Sequence, residues 1–297
     1  MKKNNSANLL KRLTAFMLIM AVVFTLTGCG DLKSKRDAVA KNMYEKIENP
    51  GIGAIGGDWA VFDIKHSGIE VDDGYFDAYY DSVRAALKVG EGVLDAKNYT
   101  TYARVGRAVR AIGKDPTNID GHNLIEKLDN YEKIVSQGIH APMHALITAN
   151  YCGYKLENEE KYKAMVIEEL INEGDIGGDP AEADYLGMGL SALGAYKDEP
   201  EVRKAVEKVL ERLGEMQKED GGFGNCEATA QVILGLCSQN IDPTKNMLHK
   251  KSKKSCLDGL MEYEVGSAFC HDLGQGENEM ATEQALMALN LYLSTFV

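Results

Sequence analysis

Tryptophan occurs once in the 297 residues, at Trp59, and aromatic residues make up only 7% of the chain. That argues against a site walled by rings that stabilise cations. There is no C-x-x-C pair among the six cysteines, which excludes a zinc ribbon or a thioredoxin-like redox motif. Cys152, Cys226, Cys237, Cys256 and Cys270 form an odd set beyond Cys29, so at least one thiol stays free unless a bridge forms between molecules. Cys152 and Cys237 lie in apolar or small-residue runs and read as core. No G-x-S-x-G elbow and no Walker loop occur, and no G-x-G-x-x-G follows a strand. A serine hydrolase of that type and a nucleotide fold therefore lose their markers. Long period-two alternation is also missing, so strands are few. Positive charge is in deficit: 33 Lys and Arg stand against 45 Asp and Glu. This argues against nucleic acid or anionic lipid surfaces as partners.

What positive charge there is gathers first at the N-terminus. MKKNNSANLLKR is basic, and the apolar run LTAFMLIMAVVFTLTG follows, ending in Leu26-Thr27-Gly28-Cys29. This resembles a bacterial lipobox, in which small residues precede a cysteine whose thiol takes a diacylglycerol. The expectation is a signal peptide over 1–28, lipid on Cys29, and a short linker over 29–37 ahead of one domain, 38–297. Cleavage removes Lys2, Lys3, Lys11 and Arg12 but no acid, so the net charge moves from −12 to −16. The expected location is the extracytoplasmic face of the cell membrane, held there through lipid on Cys29.

The body of the chain repeats. YLGMGLSAL (185–193), ATAQVILGL (228–236) and MATEQALMALNLY (280–292) each follow a glycine-rich loop. Weaker copies are YARVGRAVRAIGKDP (102–116), QGIHAPMHALITANYCG (137–153) and GAIGGDWAVFDIKHSG (53–68). Between them lie amphipathic segments, clearest over 198–217, where Val202, Val206, Val209, Leu210, Leu213 and Met216 recur every three or four residues. Asp198 and Glu201 read as a capping box there, and 76–90, 124–135 and 158–174 read as similar helices. Helices without a polar face must be buried all round. Two concentric rings meet both demands: small apolar inner helices inside amphipathic outer ones. The fold class expected is all-α, an α/α toroid of five or six helical hairpins.

At this point the chain resembles a family. GDWAVFDIKHSG (57–68), TYARVGRAVRAIGKDP (101–116), Gln137–Pro142, DGGFGN (220–225) and NEMATEQALMAL (278–289) look like the repeats of bacterial prenyltransferase/squalene-oxidase-repeat surface lipoproteins. The wider likeness is to terpenoid cyclases and protein prenyltransferases, and more distantly to the α-domain of cobalamin carriers. The resemblance implies a funnel walled by inner helices. It does not bring the family's chemistry. The cyclases' D-x-D-D acid motif is missing, its nearest trace being Glu70–Gly74, and the prenyltransferases' D-x-C zinc set is missing too. No metal is expected, including at His140 and His144 or in the acidic loop of Asp175, Asp179, Glu182 and Asp184. A corrinoid is a candidate by analogy alone.

The expected function is non-catalytic: binding of a small molecule, glycan or surface protein at the inner-helix N-terminal loops. The residues chosen for that mouth are Trp59, Asp63, Tyr102, His140, Tyr185, Phe223, Phe269 and His271. Arg107 and Arg110, on an otherwise apolar inner helix, either face solvent at a seam or hold an anion in the funnel. The alternative is an enzyme on the same toroid, either diverged from the prenyltransferases and cyclases or carbohydrate-active. The latter needs two acids across a cleft, from Asp58, Asp63, Asp184, Glu227, Asp272 and Glu283.

Overall fold

The structure is a computed structural model, and it describes residues 31–172, 180–245, 248 and 254–297. The leader over 1–28, Cys29, and Asp175 and Asp179 of the acidic loop lie outside the described residues.

The fold is all-α. Helix α1 covers 31–46. It is followed by α2 (Trp59–Ser67), α3 (Tyr75–Val89), α4 (Thr100–Ala111), α5 (Tyr131–Val135), α6 (His140–Cys152) and α7 (Glu159–Ile171). Next come α8 (Ala181–Leu193), α9 (Pro200–Met216), α10 (Cys226–Ser238), α11 (Cys256–Met261) and α12 (Glu279–Phe296). One two-residue hairpin, β1 (Glu264–Val265) with β2 (Ala268–Phe269), pairs antiparallel between α11 and α12.

The even-numbered helices form a closed cycle of contacts. Helix α2 packs on α4, α4 on α6, α6 on α8, α8 on α10, α10 on α12, and α12 returns to α2. Small residues set the closest approach. A Cβ added to Gly187 would lie 2.5 Å from the Gln231 carbonyl, and one added to Gly235 would lie 2.5 Å from the Gly187 oxygen. Helices α8 and α10 therefore meet backbone to backbone. Gly189, two residues further on, receives Leu170 of α7 instead.

Helices α3 and α9 carry the amphipathic pattern clearly. Tyr75, Tyr79, Val83 and Leu87 are the buried stripe of α3; Val202, Val206, Val209 and Leu213 belong to that of α9. Each stripe follows the three-and-four spacing that puts apolar groups on one helix face. The Tyr79 hydroxyl donates to Asp58 at 2.7 Å, and Arg104 Nε donates to the other Asp58 oxygen at 2.5 Å. This buried pair is completed by hydrogen bonds on both carboxylate oxygens, which a buried charge requires.

Two loop-to-helix entries are built alike. Asn225 and Asn278 cap α10 and α12, each side chain accepting from the backbone N–H three residues on, Ala228 and Ala281. Thr229 and Thr282 follow, and their hydroxyls accept from the backbone N–H of Phe223 and Phe269 at 3.0 Å each. Gly221 and Gly224 adopt positive φ, 88° and 104°, in the turn before α10. Glycine takes such angles without the steric cost other residues meet.

Three expectations are corrected. Residues 31–37 are helix rather than linker; the Arg36 side chain is buried and donates to Asn290 on α12 at 3.0 Å. Segment 124–135 is broken at Asn130, whose side chain caps the short α5 by accepting from Lys133. Helix α9 starts one residue beyond the expected box: Glu199 is its N-cap, makes no cap bond, and accepts from Lys163 at 2.7 Å. A true capping box sits instead at Ser255 and Asp258, opening α11.

Candidate functional site

A cavity of about 410 Å³ lies at the centre of the cycle. That falls within the ~300–1,000 Å³ that small-molecule sites occupy. All six even-numbered helices supply lining residues, spaced so that one face of each looks inward. Trp59, Phe62 and His66 come from α2; His144, Ile147 and Tyr151 from α6; Gln231, Leu234 and Ser238 from α10. Helix α12 contributes most, including Met280, Glu283, Met287 and Asn290. At one end Ile55 and Met280 reach solvent, 46% and 45% exposed. At the other end His66 and Ser294 are exposed.

The polar wall is almost wholly satisfied from within. The His66 Nδ1 lies 2.7 Å from the Phe62 carbonyl, which accepts only, so Nδ1 carries the proton. The Tyr151 hydroxyl then donates to His66 Nε2 at 3.1 Å. Gln231 donates to Gln284 at 3.1 Å, joining α10 to α12. Ser191, Ser238 and Ser294 return their hydroxyl protons to carbonyls of their own helices. Asn290 donates to the Asp63 carbonyl at 3.0 Å while accepting from Arg36.

Arg107 stands apart. Its guanidinium lies over the rings of Trp59 and Phe62, 4.7 and 4.9 Å from their centroids. Its Nε is buried and has no hydrogen-bond partner, while its Nη2 donates to the weak acceptor Met287 Sδ at 3.8 Å. Among the described residues no carboxylate forms an ion pair with it. Burial lowers its pKa to about 10, with the field of Asp63 opposing, so it stays charged at neutral pH. Burial, and then the charge on Arg107, pushes the His144 imidazole beside Trp59 down to about 3, leaving that ring neutral. Glu283 is the one carboxylate among the described lining residues; burial raises it to about 7 although the Gly56 N–H donates to it at 2.8 Å.

The eight residues chosen from sequence scatter. Trp59 alone lines the cavity. Asp63 is fully buried on α2, behind the wall; both carboxylate oxygens lack partners, and burial drives its pKa well up. Tyr102 is core, its hydroxyl accepting from the Leu94 and Asp95 N–H groups. Tyr185, Phe223 and Phe269 are core as well. His140 is exposed and meets Tyr185 edge-on at 5.5 Å. His271 lies at the surface with Nδ1 2.8 Å from Glu227. A mouth made of these eight is thus replaced by a cavity running along the helices. The loops bend the chain from outer to inner helix, so their aromatic rings are spent in packing. Of the acids considered as a catalytic pair, Asp58 is held by Tyr79 and Arg104, and only Glu283 lines the cavity. Arg110 is exposed, whereas Arg107 faces inward. Their spacing of three residues carried that signal, but sequence alone did not say which of the two turned in.

Comparison with family models and with curated proteins returned no match.

Proposed function

We infer that this chain is a lipid-anchored, extracytoplasmic binding protein that holds a small molecule with a sizeable apolar body inside an α/α toroid. The observation that carries the reading is the central cavity, bounded by six helices and walled largely by Trp59, Phe62, Ile147, Leu234, Met280 and Met287. Methionine-rich walls adapt to varied apolar shapes. The closed cycle of helix contacts supports the toroid, and the repeat resemblance supports its kinship to terpenoid-cyclase-like surface lipoproteins. The basic leader ending at Cys29 supports the anchor. A glycosidase reading gains nothing from the wall, because Glu283 has no second lining carboxylate among the described residues.

Trp59, the sole tryptophan, reports directly on the cavity. Titration with a neutral apolar probe such as decanol is expected to shift its emission, and Ser191→Phe, which fills the cavity, is expected to suppress the shift. Emission that ignores such probes would sink the binding reading. For the anchor, radiolabelled lipid is expected in the wild-type chain and absent from Cys29→Ala.

A further inference from the structure

We propose that the cavity selects an amphipathic monoanion, a carboxylate on an apolar chain, with the headgroup on Arg107. This rests on the cavity reading above and adds the charge of its ligand.

The guanidinium is the only Lys or Arg group among the described lining residues. It is the one cationic group there, and its buried Nε has no acceptor. A buried donor left unmade costs about 1–3 kcal/mol, more for a charged group. The other hydrogen-bonding side chains of the wall already have partners, the Trp59 N–H and His144 excepted, so a ligand headgroup meets one open donor set that is charged. Guanidinium presents its N–H groups in a planar fork that fits a carboxylate.

Charge and shape exclude the alternatives. A cationic ligand would be repelled by Arg107, which already stacks on Trp59 and Phe62. A polyanion such as a diphosphate carries more charge than one guanidinium offsets. It would also share the cavity with Glu283. A neutral apolar molecule would leave Arg107 Nε without an acceptor. A single carboxylate satisfies the fork and leaves its chain to Ile147, Leu234 and Met287.

Calorimetric titration of the purified protein with decanoate, decanol and decyl phosphate tests this. Decanoate is expected to bind at least tenfold more tightly than decanol and no more weakly than decyl phosphate. Arg107→Met is expected to abolish the preference for decanoate over decanol, and Arg107→Lys to restore part of it. Equal affinity for decanoate and decanol, or a preference that survives Arg107→Met, overturns the monoanion proposal and leaves the cavity reading standing. Tighter binding of decyl phosphate also overturns it. No binding of any of the three sinks the cavity reading and the proposal together.

Discussion

Arg107 and Glu283 set the charge of the cavity wall, and both are shaped first by burial. The Glu283 case yields a pH dependence with a defined sign. Its carboxyl rises from 4.5 to about 7 on folding, so between those values the folded state holds a proton that the unfolded state has lost. Its contribution is therefore complete below pH 4.5 and is lost as pH rises through 7, worth at most about 3 kcal/mol. Glu283→Gln should flatten that part of the curve of melting temperature against pH, while its amide oxygen still accepts from Gly56. His144 acts in the opposite sense. Its folded value of about 3 lies below 6.5, so its contribution is present above pH 6.5 and declines as pH falls toward 3. His144→Phe should broaden stability on the acid side; a wild-type-like acid limb in chemical denaturation would show that the ring titrates freely. In the sequence Glu283 was only one of six candidate acids, and His144 only half of a metal pair that lacked a third ligand. Helical spacing shows that positions three or four apart share a face, but not whether that face meets a neighbour or a hole.

The repeated entries into α10 and α12 were legible in part, since Ala228-Thr229 and Ala281-Thr282 stand in register in the sequence. The hydrogen bonds explain why the repeat keeps asparagine before them. Asn225→Ala and Asn278→Ala should each lower stability by about 1 kcal/mol, the usual cost of a lost N-cap, read from urea midpoints at unchanged slope. Gly187→Ala should cost more, about 1–3 kcal/mol, because its methyl would strike the α10 backbone rather than a side chain able to move. The small-residue pattern revealed this close packing before the structure did. The break at Asn130 escaped notice because the apolar residues of 124–135 keep helical spacing across it. A local bond to the Lys133 N–H outweighed the pattern there, as side-chain capping does.

At the scale of the molecule, the ring is closed where α12 meets α2, with α1 alongside. Helix α1 lies against the segments from 264 onward: Arg36 reaches Asn290, Lys35 pairs with Glu264 at 2.6 Å, and Lys46 pairs with Glu277 at 2.7 Å. The buried positions Val39, Ala40 and Met43 give α1 a helical apolar stripe. That signal was in the sequence, but the charged run at 33–37 directly after the leader masked it. A chain lacking 31–46 should keep α8 and α10 protected in hydrogen exchange while amides over 281–292 lose protection. Equal loss across the whole ring would mean that α1 does not guard the seam specifically.

Closure at this seam also fixes an order of events. Arg36 and Asn290 are 254 positions apart, so their contact is among the most distant the chain can make. Such pairings form late, because a long loop must be closed before they repay it. Until α12 docks, α2 to α10 form an open arc with apolar inner faces, and the sixth wall is missing. The chamber therefore exists only once α12 has docked between α10 and α2, and its ligand can meet only a closed ring.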